Sequence, residues 1–143
     1  MVDADVFIGL SAPAIVDDEM LVSMHDDAVL FGLANPDPEF DPEAARGRAA
    51  VVATGRSDLP NQINNVLAFP GVFRGLLDGP PRQVDTPLMA AAADAIASLV
   101  DEPRADSIVP DVFDERLVGT VAKAVVGSAH GLSDMTRESP GTD

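Results

Sequence analysis

The chain has 143 residues, of which 46% are hydrophobic, so it is long enough for one globular domain with a sizeable core. It contains no cysteine, which excludes disulfides, cysteine-ligated zinc, iron–sulfur clusters and thiol nucleophiles. Its 24 acidic and 9 basic residues give a formal net charge of −15, and such a surface disfavours nucleic acid and anionic membranes as partners.

Short apolar runs alternate with amphipathic stretches in the first half of the chain, which is the pattern of βα units and predicts an α/β fold. The predicted strands are residues 6–8, 29–33 and 49–53. Each run is apolar throughout, so we expect parallel strands that are covered on both faces.

Two helices are predicted between these strands. The first covers residues 16–24 and has three acids in what would be its first turn, where they favour a helix start. The second is short, with Asp41 as N-cap and Pro42 as first helical residue, and it ends near Gly47.

The second half of the chain is predicted to be mostly helical. A helix over residues 64–77 should kink or restart at Pro70, and Thr86 should cap the next helix. That helix is expected to pack one face on the core, with apolar residues at three- and four-residue spacing. They are Leu88, Met89, Ala92, Ala93, Ile96, Leu99 and Val100.

The end of the chain contains one brief strand candidate, one helix and a tail. Residues 108–109 are interpreted as a short additional strand before Pro110. Asp114 is the predicted cap of the last helix, which Gly131 ends. Residues 133–143 are polar and are expected to form a disordered tail.

Ligands of an open parallel sheet bind beyond the carboxyl ends of its strands. The residues at those positions are small or carry amides, and they are 9–13, 34–36 and 54–58. They can admit a planar cofactor and bond to its amide or ribose. Ordinary turns also favour glycine, proline, asparagine and serine, so both interpretations stay open.

Residues 61–65, Asn-Gln-Ile-Asn-Asn, place four side-chain amides immediately before an apolar helix. One explanation is that Asn64 or Asn65 is the helix N-cap. A cap needs only one asparagine, however, and the positive end of a helix dipole also favours a carboxylate or carbonyl ligand. The spacing leaves the two explanations open.

Other catalytic patterns are missing from the sequence. His25 and His130 are far apart in the chain and have no neighbouring ligand pattern. There is no glycine-rich dinucleotide fingerprint, no phosphate-binding P-loop and no nucleophile elbow. The acids near residues 17–27 follow no calcium-loop spacing, and we interpret them as charges at helix ends.

Four segments together resemble the malic enzyme family, and the likeness runs in order from about Asp5 to about Leu132. They are DVFIGLSAP at residues 5–13, FGLANP at 31–36, VATGRSD at 52–58 and PNQINNVLAFPGVFRG at 60–75. The resemblance implies that residues 1–132 are the later part of a malic enzyme NAD(P)-binding domain. It implies a Rossmann-like doubly wound sheet, of which this chain carries about three parallel strands and the C-terminal helices.

The resemblance also implies a reaction. Malic enzymes oxidise malate with NAD or NADP and decarboxylate the product to pyruvate, and Mg²⁺ or Mn²⁺ stabilises the enolate. By this likeness Asn35 lies near both the nicotinamide ribose and malate, and Asn64 and Asn65 match an asparagine pair of which at least one binds a malate carboxylate. Ser11 and Ala12 would line the nicotinamide side of the cofactor cleft.

The family's catalytic tyrosine and lysine, its acidic metal ligands and its glycine-rich fingerprint match nothing in this chain. It contains no tyrosine, and its single lysine, Lys123, is on the last helix. We therefore expect a fragment that is inactive alone. An alternative is a non-catalytic binding or structural remnant that acts by complementing a separate N-terminal piece.

The remaining expectations concern location and assembly. The N-terminus lacks the basic residues of a secretory signal, and no apolar run approaches the roughly 20 residues that cross a bilayer, so we expect a cytoplasmic protein. The resemblance implies malate and pyruvate as small-molecule partners and a homo-oligomer for the full-length parent. The sequence does not decide between NAD and NADP.

Overall fold

A computed structural model describes residues 1–80 and 82–128. This part of the chain divides into two compact units. The first unit is Met1–Asn64 together with Glu102–Val109, and the second unit is Asn65–Asp101 together with residues 110–128. The predicted helix end at Gly131 and the predicted tail lie outside the described residues.

The first unit is built on a parallel sheet of three strands in the order β1-β2-β3. The strands are β1 (Val6–Gly9), β2 (Val29–Gly32) and β3 (Val51–Thr54). Helix α1 (Asp18–Val22) connects β1 to β2, and helix α2 (Pro42–Arg46) connects β2 to β3. The prediction of an α/β fold with three parallel strands is confirmed.

Acidic side chains begin both of these helices. The Asp17 carboxylate accepts a hydrogen bond from the Met20 amide, so α1 starts later than the sequence pattern indicated. The Asp41 carboxylate accepts from the Glu43 amide, with Pro42 as the first helical residue, as predicted. Each cap satisfies an amide that has no partner within its helix.

The core of the first unit lies on one face of the sheet. Leu30 of β2 and Val52 of β3 pack there with Leu21 of α1 and Ala45 of α2. The Phe40 ring, 2% exposed, closes this cluster and meets Phe7 edge-on at 6.1 Å between ring centroids. Burial of these side chains supplies the hydrophobic stabilisation of the unit.

Strand β1 differs from the expectation that every strand is covered on both faces. Val6 is 53% exposed and Ile8 is 58% exposed, whereas Gly9 is buried. β1 is the first strand in the sheet order and pairs only with β2 within the described residues. The prediction is wrong here because an apolar run fixes hydrophobicity but not the presence of a covering layer.

The second unit is helical, with a short 3₁₀ helix (Asn65–Leu67) followed by α3 (Phe69–Asp78), α4 (Thr86–Ala97) and α5 (Glu115–Ser128). Pro70 lies in the first turn of α3, so the predicted restart of the helix is confirmed and the continuous helix from residue 64 is not. The α4 cap is Asp85, one residue before the predicted Thr86.

Helices α3 and α5 approach closely because α3 presents glycines to α5. A methyl group at Gly71 would lie 2.5 Å from Val121 Cβ, and one at Gly75 would lie 2.7 Å from the Ala122 carbonyl oxygen. Val121 and Val125 are almost fully buried in this contact. The missing glycine side chains therefore set the distance between the two helices.

Two smaller predictions in this half of the chain are wrong. Residues 108–109 form no strand, and the Ile108 amide instead donates to the Asn61 side chain. On α4 the buried residues are Leu88, Ala92 and Ala95, while the predicted inward Met89 is 55% exposed. α4 is apolar nearly all round, so its sequence does not define one face.

No helix among the described residues is both long and apolar enough to span a bilayer.

Candidate functional site

The three strands of the first unit end at the same edge of the sheet, which we call the carboxyl edge. The register pairs Gly9 with Gly32 and Gly32 with Thr54, so the last residues of the strands are side by side. The segments that follow are residues 10–16, 33–38 and 55–60. In open parallel sheets this edge is where ligands bind.

Ser11 and Ala12 follow β1 at the carboxyl edge, and both side chains are exposed. The Ser11 backbone amide donates to Glu39 Oε1 at 2.8 Å, so its main chain is held while the residue stays exposed. These two side chains are small, and a flat ring could approach the backbone closely here. The structure thus places both predicted cofactor residues at this edge.

Asn35 follows β2 at the same edge. It is exposed and stands between buried Ala34 and a cis peptide bond to Pro36. The Ala34 backbone amide donates to Glu39 Oε2 at 3.1 Å. The Asn35 side chain, with one donor and one acceptor group, is therefore carried on a main chain that is fixed immediately before it.

Asn64 is brought to the carboxyl edge by a short extension of the sheet. Thr54 and Gln62 form a parallel bridge, in which the Ile63 amide donates to the Thr54 carbonyl at 2.8 Å. The Asn64 side-chain amide donates to the Gly55 carbonyl at 3.3 Å, and the residue is exposed. Asn35 and Asn64 therefore belong to the same edge of the first unit.

Asn65 begins the 3₁₀ helix of the second unit and is exposed. Its part in malate binding stays a prediction. The N-cap of α3 is Ala68, which has no side-chain cap hydrogen bond, so neither Asn64 nor Asn65 caps that helix. The helix-cap explanation for this asparagine pair therefore does not apply to α3, and it stays a prediction for the 3₁₀ helix that begins at Asn65.

Asn61 is the one asparagine of the run that is buried, at 5% exposure. Its side-chain amide donates to the Val52 and Ala105 carbonyls at 3.0 and 2.7 Å, and its oxygen accepts from the Ile108 amide at 2.9 Å. Its φ of 56° lies in the left-handed region, which asparagine tolerates better than most residues. Asn61 therefore joins segment 102–109 to β3 and is not available for a ligand.

Arg56 and Asp58 form an exposed ion pair in the segment after β3, with Nε–Oδ1 at 2.9 Å and Nη2–Oδ2 at 2.6 Å. The hydrogen bonds from Arg56 lower the pKa of the Asp58 carboxyl, and the same contacts raise the pKa of the guanidinium. Solvent screens an exposed pair, so it contributes little to stability. The positive charge of Arg56 is therefore paired with the negative charge of Asp58 at this edge.

Glu39 is a residue of this edge that the sequence patterns did not reveal. Its side chain is 0% exposed, and its two carboxylate oxygens accept the Ser11 and Ala34 amides. The available signal was its position between Pro38 and Phe40 just before the cap of α2. Its partners lie 28 and 5 residues away, and the first of these separations leaves no local pattern.

Potential metal ligands in residues 1–80 and 82–128 are scattered. No group of three or more histidine, aspartate or glutamate side chains in these ranges is arranged to hold an ion. The predicted dependence of the full-length parent on Mg²⁺ or Mn²⁺ is not tested by this result.

A parallel sheet with small polar residues beyond its strand ends defines a Rossmann-like nucleotide-binding protein. The chain matches the family described as "Malic enzyme, NAD binding domain" over residues 1–130. It belongs to that malic enzyme domain family.

Individual relatives agree with this assignment. The chain is 53% identical over 132 residues to the bifunctional malic/malolactic enzyme of Bacillus subtilis, covering 90% of this chain and 32% of that protein. It is 52% identical over 129 residues to the NAD-dependent malic enzyme of Geobacillus stearothermophilus, covering 89% and 27%. The crystal structure of the malic enzyme from Pyrococcus horikoshii superposes with a TM-score of 0.85 at 44% identity, covering 92% of this chain and 31% of that one.

The chain thus spans less than a third of the length of these curated relatives. Among the proteins it matches are malic enzymes named as NAD-dependent and others named as NADP-dependent. NAD(P) is therefore the cofactor class of the family, and the preference within that class is not decided by these relatives.

Proposed function

We propose that this chain forms one side of a malic enzyme active site that oxidises malate with NAD or NADP and releases pyruvate and CO₂. The observation that carries the proposal is the presence of exposed Ser11, Asn35 and Asn64 at one carboxyl edge. Small and amide-bearing side chains at that position suit a planar cofactor beside a polar substrate.

Each side chain has a role that its chemistry allows. The Asn35 amide can donate to a malate oxygen while its carbonyl accepts from a ribose hydroxyl. The Asn64 amide donates to a malate carboxylate, a role that the resemblance extends to Asn65. Ser11 and Ala12 leave room for a nicotinamide ring, and NAD(P) bound there would supply the hydride-accepting chemistry for malate oxidation.

The remaining catalytic groups are proposed to come from polypeptide other than this chain. The sequence has no tyrosine, whereas the resemblance implies a catalytic tyrosine in malic enzymes. Mg²⁺ or Mn²⁺, when bound by acidic ligands elsewhere in the parent, would polarise the malate C2 oxygen. We also propose that the parent is cytoplasmic and homo-oligomeric.

A chimera tests the proposed function directly. The chain replaces the matched 132-residue region of the Bacillus subtilis enzyme, and malate-dependent reduction of NAD and of NADP is followed by absorbance. We expect activity from the chimera and none from the isolated chain. A folded chimera that binds neither malate nor a dinucleotide would contradict the proposal.

Single substitutions in the chimera sharpen this test. Asn35→Ala and Asn64→Ala should each lower kcat/KM for malate by about 10- to 100-fold, because each removes a hydrogen bond to a charged ligand. Gln83→Ala is the matched control, since Gln83 is an exposed side-chain amide in the loop between α3 and α4. Loss of activity in the control as well would show that the effect is not specific to the carboxyl edge.

A second candidate is that the chain acts in trans with a separate polypeptide that supplies the other parts of the enzyme. The chain covers 32% and 27% of the two relatives, so a second polypeptide would carry the other regions in a test of this idea. Co-expression with the complementary region of the Bacillus subtilis enzyme should give co-purification and an activity that neither piece has alone. Absence of co-purification would remove this candidate.

A further inference from the structure

The Glu39 carboxylate is the only acidic side chain among the described residues that is fully buried. It receives one hydrogen bond from the loop after β1, through the Ser11 amide, and one from the loop after β2, through the Ala34 amide. Each carboxylate oxygen takes one of the two donors. One rigid planar group therefore connects both loops at the carboxyl edge.

The surroundings of Glu39 are shaped to hold it. A methyl group at Gly9 would lie 2.4 Å from Glu39 Cδ and 2.7 Å from Oε1, so β1 must end in glycine for the carboxylate to fit. At the neighbouring strand, a methyl group at Gly32 would lie 2.8 Å from Phe40 Cε1. The consecutive side chains of Glu39 and Phe40 thus cover the ends of β1 and β2.

Main-chain hydrogen bonds hold the loop after β1 against the same segment. The Ala14 amide donates to the Pro38 carbonyl at 3.1 Å, and the Val16 amide donates to the Glu39 carbonyl at 2.8 Å. Together with the side-chain bond to Ser11, they attach the loop at three points. The position of Ser11 relative to Asn35 is therefore set by one short stretch of chain.

Stability alone is a weak reason for a charge in this position. Burying a carboxylate is unfavourable unless its hydrogen bonds compensate, and well-packed apolar residues often replace such groups without loss of stability. A carboxylate does offer two acceptors at a fixed separation, and its bonds to amides are strong and directional. Glu39 therefore supplies two acceptors at a fixed separation, which a leucine of similar size would not supply.

We propose that Glu39 is a positioning residue that sets the spacing between Ser11 and Asn35, and so between the nicotinamide-facing and the malate-facing groups. The inference rests on the proposed function. A displacement of about 1 Å at a catalytic group can lower a rate by about 100-fold, so a residue that fixes this spacing has a large effect without touching the substrate.

The first test is Glu39→Gln, which keeps the size of the side chain and replaces one acceptor with a donor. In ¹⁵N-labelled chain, we expect the Ser11 or the Ala34 amide proton resonance to move upfield while most other resonances stay. In the chimera we expect kcat/KM for malate to fall at least 10-fold. Glu39→Asp, which keeps both acceptors on a shorter stem, should recover part of that loss.

Two controls separate positioning from general damage. Glu43→Gln makes the same chemical change on exposed Glu43, whose side chain pairs with Arg46, and it should alter neither readout. Phe40→Leu removes packing from the adjacent buried ring but leaves the carboxylate in place. It should lower stability while kcat/KM stays within about twofold of wild type.

Gly9→Ala tests the same spacing from the other side, because it pushes on the carboxylate without changing it. It should lower kcat/KM and move the Ser11 and Ala34 resonances, whereas Gly47→Ala, whose methyl would meet only the Ala44 carbonyl at 3.7 Å, should do neither. This pair decides the matter if Glu39→Gln does not fold.

The outcomes are distinguishable from those of the proposed function. If the parent chimera is inactive, the proposed function fails, and the amide resonances alone decide whether Glu39 connects the two loops. Unchanged resonances in both Glu39→Gln and Gly9→Ala would overturn the bridge. Shifted resonances with an unchanged kcat/KM would overturn the positioning role.

Discussion

Each of the two compact units contains a pair of glycines in close contact with neighbouring residues, but the chemistry of those neighbours differs between the units. In the first unit Gly9 meets the Glu39 carboxylate, whereas in the second unit Gly75 meets Val125 and a helix backbone. Glycine in the first unit makes room for a buried polar group that holds two loops. Glycine in the second unit makes room for another helix.

The difference shows what each unit needs from its packing. Strand ends and loops leave backbone amides and carbonyls without partners, so the first unit uses buried polar side chains, Glu39 and Asn61, to satisfy them. Helices satisfy most of their own backbone, so α3 and α5 in the second unit pack together mainly through apolar shape. Polar substitutions should therefore damage the first unit most, and volume changes the second.

Asn61→Ala should give the largest loss of stability, about 3 kcal/mol in the free energy of unfolding, because all three hydrogen bonds of this buried side chain disappear. Alanine also fits poorly at a φ of 56°. Denaturant unfolding followed by circular dichroism measures the effect. Asn61→Gly is the matched variant, since it loses the same bonds without the backbone strain and should be less destabilised by about 1 kcal/mol. A loss under about 1 kcal/mol in Asn61→Ala would contradict the polar account of the first unit.

Gly75→Ala should destabilise the second unit by about 2 kcal/mol, since the added methyl forces α3 and α5 apart. Gly119→Ala on α5 is the control, because a methyl there has nothing within 4 Å. This control should gain stability by about 1 kcal/mol from the better helix propensity of alanine. Equal effects of the two substitutions in denaturant unfolding would show that the glycine contact does not set the packing.

Ala14→Gly should stabilise the first unit by about 1 kcal/mol, because Ala14 has a φ of 55° that glycine adopts without steric cost. The hydrogen bond from its amide to Pro38 does not depend on the side chain. Thermal unfolding followed by circular dichroism tests this prediction. A lower midpoint than wild type would mean that the loop tolerates alanine without strain.

The smallest effect should be the pH dependence of the α4 cap. Two contacts lower the pKa of the Asp85 carboxyl below its usual 3.8. The hydrogen bond from the Leu88 amide has the larger effect, and the hydrogen bonds from Arg82 have the next. Because the folded pKa is lowered, this stabilisation is present above the unfolded pKa and is lost as the pH falls through the folded value. Asp85→Asn, which caps without a charge, should show a shallower decline in unfolding midpoint below about pH 4 than wild type. Identical acid profiles would contradict the prediction.

Much of the first unit was predictable from local sequence. The strands at residues 6–8 and 29–33 and the start of α2 at Asp41 follow from short apolar runs and from cap chemistry, which act within a few residues. The positions beyond the strand ends followed from the rule for parallel sheets, and the structure places Ser11, Asn35 and Asn64 at that edge. Their roles as ligands stay predictions.

Other features were not predictable because their partners are distant in sequence. The prediction that Met89 lies on the buried face of α4 was wrong. Nearly every position of that helix is apolar, so the buried face depends on which elements pack against it. Ile108 was interpreted as part of a strand because it is apolar, whereas its amide bonds to Asn61, 47 residues away. Periodicity carries no information about such contacts.

The sequence by itself determined the family, the parallel strands and the residues beyond their ends, because each is encoded in a local motif or pattern. Only the tertiary structure decided that Asn61 is structural, that β1 has an exposed face and that Glu39 connects two loops. The physical reason is that burial and hydrogen-bond partners depend on which segments meet in space. A buried glutamate and a solvated one look the same in the chain.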